Sequence, residues 1–454
     1  FNYNILRDTK DTLVVLAAGA EALSLLKIFG TVPGAILIFL LYSKLSNIFS
    51  REKLFYMLVS AFILFFGLFA YLIYPNRELF HPSQTWVQEM ATLYPRLQTV
   101  FYVIGSWSYG VFYVLSELWG SVVLSLLFWQ FANDTVRMDE AKRFYSLFGM
   151  IANFGLIAAG LAIGYFADIR THITSGQDPW GITLNSLMGS VVISGFCLMA
   201  IFRWLNKNVT LEVVEKKKEK PKLSLMESFR MIFRSKHLGL IALLVVTYGI
   251  SINVIEAVWK DQIKKVYGSE NGYNAFMGNV TLYTGIVTIT FMIIGSNIVR
   301  LFGWNVSAKL TPILILVTGI PFFLFVAMRS HFEHFTEATL AMTVPATAVW
   351  LGFGQNILTK ATKYSLFDPS KEMCYIPLDQ ESKIKGKAAV DVVGSRIGKS
   401  GGAFLQQFLL IITGSNLVGI SPYLAVVLLA AVLLWLGATT ALNKRIGEPQ
   451  LQPT

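Results

Sequence analysis

Cysteine is almost absent from this chain, and charged residues are scarce. Only two cysteines occur among 454 residues, Cys197 in an apolar stretch and Cys374 in a polar one. Two cysteines cannot build a disulfide framework, and these two lack the spacing of metal ligands. Charged residues make up 14% of the chain and hydrophobic residues 54%, a composition outside the range of soluble globular domains. A soluble enzyme is therefore excluded.

In place of charge, the chain has long apolar runs. Runs of about twenty residues recur along nearly its whole length, and each can cross a hydrocarbon core of about 30 Å as a helix. Blocks such as YLAVVLLAAVLLWLGA lack the alternation of apolar and polar residues that marks a membrane barrel. The pattern predicts an all-α membrane protein with about twelve transmembrane helices, near residues 5–28, 30–49, 53–74, 97–131, 139–168, 182–205, 238–262, 272–299, 306–328, 337–362, 384–413 and 421–442.

The predicted spans fall into two sets of six. A hydrophilic stretch with Glu215, Glu219 and five lysines separates span six from span seven. We predict an N-terminal six-helix half (1–205), a basic cytoplasmic linker with an amphipathic helix (206–236) and a C-terminal six-helix half (237–454). This organisation is major-facilitator-like, and in such carriers the two halves rock about a central site.

Weak internal similarity supports a duplicated bundle. Span five, DEAKRFYSLFGMIANFG, aligns with span eleven, SKIKGKAAVDVVGSRIG, so that Lys142 meets Lys385 and Asn153 meets Arg396. This alignment adds Asn153 to the candidate site positions.

Lysine and arginine collect in short loops after even-numbered spans. Lys44, Arg51 and Lys53 follow span two, whereas the loop after span seven, with Lys264 and Lys265, departs from the rule. Because cytoplasmic loops carry an excess of these residues, both termini and the linker are predicted to face the cytoplasm.

Ionisable side chains inside the spans mark candidate functional positions, because each is costly in a bilayer unless it is paired or faces water. Glu117 lies deep in span four with no cation within one helical turn, so we expect a water-filled cavity or a partner on another helix. Glu256 and Lys260 of span seven are four residues apart and can form a local ion pair. Lys27 lies near the end of span one, where its side chain can also reach the interface.

Span eleven carries five charged residues. At about 100° per residue, Lys385, Arg396 and Lys399 fall on one helical face, and Lys387 and Asp391 fall on the opposite face, where they can pair. Three cations on one face suit an anion with several negative charges, such as a polyphosphate, better than a sugar or a small cation.

Catalytic signatures are weak in this chain. The string GSRIGKS at 394–400 resembles a phosphate-binding P-loop, but it has three residues between its glycines where that motif needs four, and no strand precedes it. The five histidines lie in or near loops, and no catalytic pair is evident on the loops. A polytopic membrane enzyme is therefore disfavoured, a buried histidine relay is not expected, and no cofactor is predicted.

Three long and unusual strings extend these observations: SELWGSVV at 116–123, KYSLFDPSKEMCYIPLD at 363–379 and KGKAAVDVVGSRIGKSGG at 385–402. They resemble the nucleotide transporters, or ATP/ADP translocases, of plastids and obligate intracellular bacteria. The resemblance implies a major-facilitator-like arrangement of twelve helices and exchange of external ATP for internal ADP plus phosphate. It also implies four charged positions that matter for transport, which match Lys27, Glu117, Glu256 and either Lys385 or Lys387.

The resemblance implies ATP and ADP as partners, with inorganic phosphate as a further one, and a lipid bilayer as the surroundings. We expect a monomeric secondary transporter that binds no nucleic acid, in a bacterial inner membrane rather than a plastid inner envelope. Two alternatives stay open, a proton-coupled nucleotide importer of the same family and a major-facilitator carrier for another organic anion.

Overall fold

The computed structural model confirms the predicted helical class. Regular structure in the part of the chain that it describes consists of helices, and no strand occurs there. The described residues are 1–129, 131–132, 141–169, 178–208, 234–378, 386, 390 and 394–447.

Seven longer helices are described before the predicted linker. Two of them begin at a serine cap: the hydroxyl of Ser50 accepts the backbone N–H of Lys53, and that of Ser83 accepts the backbone N–H of Trp86. Each cap pairs a backbone donor that the first turn leaves open. The helices are α1 (Asn2–Ala18), α2 (Ala22–Ser46), α3 (Arg51–Ile73), α4 (Gln84–Leu93), α5 (Trp107–Phe128), α6 (Ala141–Ile169) and α7 (Pro179–Asn208). Three shorter helical segments lie at Arg77–Phe80, Pro95–Leu97 and Gln98–Gly105.

Seven more helices are described after the linker. The helical run Glu270–Ala327 is broken at Gly303, where φ is 76°, a value that glycine adopts without strain; α9 and α10 are the parts before and after this break. The other helices are α8 (Lys236–Val266), α11 (Arg329–Leu340), α12 (Val344–Thr362), α13 (Ser395–Thr413) and α14 (Ser421–Gly447), and α12 continues through a π-helical turn at Lys363–Phe367 into Asp368–Met373.

Within the described residues, nine helices are long and apolar enough to cross a membrane. They are α2, α3, α5, α6, α7, α8, α9, α10 and α14. The helices α1, α12 and α13 correspond to predicted spans one, ten and eleven, and each carries buried polar side chains, including Asp8, Gln355 and Gln406. Taken in chain order, these helices follow the predicted series of spans.

The first break between membrane helices differs from the prediction. Hydropathy places it near residue 29, but α1 ends at Ala18, Gly19 has a φ of 88°, and α2 runs without interruption from Ala22. A continuous apolar run does not reveal where the chain turns, and here the turn lies where glycine permits a positive φ. Lys27 therefore belongs to the second membrane helix and not to the end of the first.

The chain forms two compact units. Unit 1 comprises Phe1–Lys217 and Tyr267–Gly285, and unit 2 comprises Lys218–Val266 and Ile286–Thr454. The first part of α9 therefore packs with the N-terminal helices. The halves predicted from the sequence assign this segment to the C-terminal side, and most of the predicted linker lies outside the described residues.

The core of unit 1 is aromatic. Phe66 and Phe112 are fully buried, with ring centroids 5.4 Å apart in an edge-to-face arrangement. Trp119 packs edge-on against Phe62, with centroids 5.7 Å apart. Such pairs stabilise a fold by about 0.5–1.5 kcal/mol beyond the burial of their area. They hold α5 against α3 and so set the position of Glu117, two residues before Trp119.

In unit 2, α8 packs against α12, α13 and α14. A Cβ atom on Gly249 would lie 2.8 Å from the carbonyl carbon of Gly398, so α8 and α13 approach closely through small residues. Further along α8, the indole Nε1 of Trp259 donates a hydrogen bond of 2.9 Å to the Val349 carbonyl of α12. These contacts fix the register of α8 against its neighbours.

Candidate functional site

The most polar buried segment of unit 1 lies in α1. Its residues Asp8 to Thr12 are all at most 3% exposed, although two of them are acids and one is a lysine. Arg7 Nη2 donates to Thr281 Oγ1 at 2.7 Å, and Thr281 Oγ1 donates in turn to Asp8. Asn274 Nδ2 donates to Thr12 Oγ1 at 3.0 Å. Side chains of α9 thus satisfy part of this buried polar surface.

Lys10 is the cation at the centre of this segment. Its Nζ lies 3.0 Å from Glu117 Oε1, 2.8 Å from Asp11 Oδ1 and 4.0 Å from the ring centroid of Tyr113. The Lys10 side chain is 4% exposed, whereas that of Glu117 is 24% exposed. Glu117 therefore has the cross-helix partner that its sequence surroundings predict. Sequence reasoning did not identify Lys10 as that partner.

Unit 2 contains a second ion-pair cluster. Glu256 Oε2 lies 3.8 Å from Lys260 Nζ, which is the local pair predicted from their spacing. The shorter contact joins Glu256 Oε1 to Lys360 Nζ of α12 at 3.0 Å. Glu256 thus bridges two lysines, one on its own helix and one on α12. Lys360 is a second site candidate that sequence reasoning missed.

The two clusters have a common architecture. Lys10 and Glu256 lie on the helices of predicted spans one and seven, and Glu117 and Lys360 lie on those of predicted spans four and ten. Glu117 and Lys360 each stand three residues before a π-helical segment, Gly120–Phe128 and Lys363–Phe367; such segments are rare and occur frequently at functional sites. Each unit therefore contains one such lysine–glutamate pair between two of its helices. The base comes first along the chain in unit 1, and the acid comes first in unit 2.

Polar side chains flank Lys360 on α12. Gln355, Asn356 and Thr359 are at most 2% exposed. The Gln355 amide donates to Thr359 Oγ1 at 3.1 Å, and the Asn356 amide donates to the Gly352 carbonyl at 3.0 Å. Within the described residues, Gln355 Oε1 and Asn356 Oδ1 are buried with no hydrogen-bond donor. α12 therefore has two buried acceptors to which no described residue donates, and Asn356 Oδ1 is the one on the face of Lys360.

Three other predicted site residues lie on described helices. Lys27 is partly buried and begins a π-helical turn, Lys27–Thr31, that packs against α5. Asn153 is 4% exposed, and its amide donates to the Gly149 carbonyl of the same helix at 2.9 Å. Lys399 has an exposed side chain on α13, and its backbone carbonyl accepts a 2.8 Å hydrogen bond from Asn253 of α8.

The predicted cationic face of span eleven is described only in part. Lys385, Lys387 and Asp391 lie outside the described residues, and Arg396 is described as part of the α13 backbone only. The predicted pairing of Lys387 with Asp391 and the grouping of Lys385, Arg396 and Lys399 stay predictions.

The fold resembles that of known transporters. A bacterial homologue of the iron transporter ferroportin in its inward-facing state matches with a TM-score of 0.56 at 15% identity, over 98% of this chain and 97% of that one. Its outward-facing state matches with a TM-score of 0.55 at 14% identity, over 98% of each chain. At this identity the likeness shows the fold alone, and that fold is major-facilitator-like.

The sequence is similar to proteins named as nucleotide carriers. "ADP,ATP carrier protein 1" of Chlamydia pneumoniae is 48% identical over 98% of this chain and 88% of its own length. "ADP,ATP carrier protein 2, chloroplastic" of Arabidopsis thaliana is 45% identical over 100% of this chain and 74% of its own length. The family described as TLC ATP/ADP transporter matches residues 1–446. The chain therefore belongs to the TLC ATP/ADP transporter family and is a multi-pass membrane transporter, not an enzyme.

Proposed function

We propose that this protein exchanges ATP for ADP across a bacterial inner membrane by alternating access. The observation that carries the proposal is the pair of lysine–glutamate contacts inside membrane helices, Lys10 with Glu117 and Lys360 with Glu256, in a chain of the ATP/ADP transporter family. Ionisable groups at membrane depth are expensive and mark substrate pathways. Paired charge at these positions supports a route for an anionic nucleotide.

The cations of the site hold the phosphates. Lys27, Lys385, Lys387, Arg396 and Lys399 are the proposed phosphate-binding residues, because charge-assisted bonds from lysine and arginine are the strong contacts available to a polyphosphate. The acids Glu117 and Glu256 neutralise lysines while the carrier is empty. Asp391 has the same role toward Lys387, and Asn153 joins the site through its alignment with Arg396.

Charge balance favours exchange over pumping. A closed, empty cavity whose cations outnumber its acids is costly to carry through the membrane, whereas a bound polyphosphate neutralises the excess positive charge. Return of the carrier therefore requires a counter-nucleotide. ATP carries about one more negative charge than ADP, so exchange responds to the membrane potential unless inorganic phosphate accompanies ADP.

Uptake of labelled ATP into proteoliposomes tests this function. We expect rapid uptake when ADP or ATP is inside, little uptake into empty vesicles, and no stimulation by a proton gradient. Labelled phosphate, loaded inside the vesicles together with ADP, shows whether phosphate leaves with ADP. Rapid uptake into empty vesicles, driven by the proton gradient and indifferent to internal ADP, would assign the chain to proton-coupled import and refute exchange.

The proposed location and oligomeric state are separate claims. The chain is similar to bacterial and to plastid carriers alike, with 48% identity to that of Chlamydia pneumoniae and 45% to that of Arabidopsis thaliana, and the bacterial inner membrane is our proposal. We propose a monomer because one chain contains both six-helix halves of a major-facilitator-like carrier. Light scattering of the detergent-purified protein measures the mass directly, and a dimer mass would refute the monomer.

A further inference from the structure

Lys360 lies near the end of α12. From the sequence alone it cannot be distinguished from an ordinary lysine at the membrane interface. Its Nζ instead contacts Glu256 of α8 at 3.0 Å, and the second carboxylate oxygen of Glu256 faces Lys260 at 3.8 Å. One carboxylate thus bridges two cations. If a second anion reaches Lys360, Glu256 still has Lys260 beside it.

The lysine of the Lys360–Glu256 pair is accessible to a ligand, whereas the lysine of the Lys10–Glu117 pair is enclosed by protein. The side chains of Lys360 and Glu256 are 15% and 19% exposed. Lys10 is only 4% exposed and is enclosed by Asp11, Glu117 and the Tyr113 ring. Partly exposed charge within membrane helices faces water rather than lipid. An anion can therefore approach Lys360, and Lys10 is confined to its own carboxylates.

The helix face beside Lys360 adds hydrogen-bonding capacity. Asn356 lies one turn before Lys360 on the same face of α12, and its Oδ1 is buried with no donor among the described residues. A nucleotide offers ribose hydroxyl and base amino donors at a distance from its phosphates, whereas inorganic phosphate has no donor beyond its own O–H groups. A reachable cation with a buried acceptor one turn away fits a nucleotide.

Building on the proposed nucleotide exchange, we propose that Lys360 is a phosphate ligand of the substrate and that Glu256 is its resident counter-ion, which the phosphate displaces. Carboxylate and phosphate oxygens make charge-assisted bonds to the same ammonium group, so the two compete for Lys360. The empty carrier keeps Lys360 neutralised by Glu256, and the loaded carrier neutralises it with substrate. Because one strong contact replaces another, binding stays reversible, as exchange requires.

The test measures binding of ATP and AMP to purified protein in detergent, together with exchange in proteoliposomes. Lys360→Gln should weaken ATP binding ten- to a hundredfold, about the value of one charge-assisted contact, and weaken AMP binding much less. Lys360→Arg keeps the cation and should stay within about threefold of wild type in ATP binding. Glu256→Gln should bind ATP at least as tightly as wild type, because the competitor is gone, yet exchange more slowly.

The double variant Lys360→Gln/Glu256→Gln decides between ligand and structural counter-ion. If Lys360 is a phosphate ligand, the double variant still lacks that ligand. It should then bind ATP ten- to a hundredfold more weakly than Glu256→Gln alone. If Lys360 only neutralises Glu256, removing both charges restores wild-type ATP binding, and the proposal is overturned. This comparison holds even if Lys360→Gln does not fold, because the double variant leaves no carboxylate without its lysine.

Lys265→Gln is the matched control. Lys265 pairs with Asp261 at 2.6 Å near the end of α8 and is 39% exposed, so its loss should leave ATP binding unchanged. Wild-type protein is measured first: if it binds neither ATP nor ADP, nucleotide exchange itself fails, whatever Lys360 does. Two results would refute the Lys360 assignment alone, given that wild type binds ATP. Either Lys360→Gln binds ATP as tightly as wild type, or its affinities for ATP and AMP fall by the same factor.

Discussion

Lys10 Nζ lies 3.0 Å from Glu117 Oε1 and so joins α1 to α5, the helices of predicted spans one and four. Lys360 and Glu256 repeat this contact in unit 2 at the same distance, with the acid on the helix of predicted span seven and the base on that of span ten. A duplicated bundle predicts such a shared position. Acid and base are exchanged between the two pairs.

Lys10→Gln should destabilise the protein strongly. It leaves Asp11 and Glu117 without their buried cation, and breaking such a pair costs about 3–5 kcal/mol. Thermal unfolding in detergent should therefore begin at a clearly lower temperature than in wild type, and Lys10→Gln/Glu117→Gln should recover part of the loss. An unchanged unfolding temperature for Lys10→Gln would show that this contact does not hold α1 against α5.

Gly160→Ala should destabilise the packing of α6 against α9 in unit 1. A Cβ atom at Gly160 would lie 2.6 Å from the Gly278 carbonyl oxygen and 2.6 Å from the Leu282 nitrogen, so the backbone must move. Overpacking of this kind costs about 1–3 kcal/mol. Gly164→Ala, one turn further along α6, is the matched control because its Cβ meets nothing within 4 Å. Equal unfolding temperatures for the two variants would contradict the close contact.

Cys374 should resist alkylation in the folded protein. Burial raises the pKa of the Cys374 thiol to about 12, so very little of the reactive thiolate exists at pH 8. In a Cys197→Ser background, mass spectrometry should find almost no maleimide adduct before denaturation and full labelling after it. Labelling should speed up as the pH rises toward 12. Rapid labelling of the native protein at pH 8 would contradict the burial of this thiol.

The predicted topology is tested by impermeant labelling of single cysteines in a cysteine-free background. Gln84 is exposed on α4 and Glu52 is exposed at the start of α3, and the distribution of basic residues predicts opposite sides of the membrane for them. A cysteine at Gln84 should react on intact cells, and one at Glu52 only after permeabilisation. The reverse pattern would invert the predicted orientation.

The membrane helices could be predicted because each depends on its own stretch of chain. An apolar run long enough to cross the bilayer must form a helix there, since the hydrocarbon core leaves backbone groups no other partners. The contact of Glu256 with Lys260 was predictable for the same reason, because four residues bring side chains together on one helix. The expectation of either a water-filled cavity or a partner on another helix for Glu117 also followed, because unpaired charge is costly at that depth.

The identities of the partners depend on how separate helices pack. Nothing in the spacing of Lys10 and Glu117, or of Lys360 and Glu256, brings them together, since the contacts follow from the register of α1 on α5 and of α8 on α12. The one available signal was the string RDTKDT at 7–12, whose four ionisable residues in a membrane helix require partners. Local periodicity thus determines which segments cross the membrane and which charges need compensation. Tertiary packing decides which lysine meets which glutamate, because an ion pair forms only where the helices bring a lysine nitrogen within about 4 Å of a carboxylate oxygen.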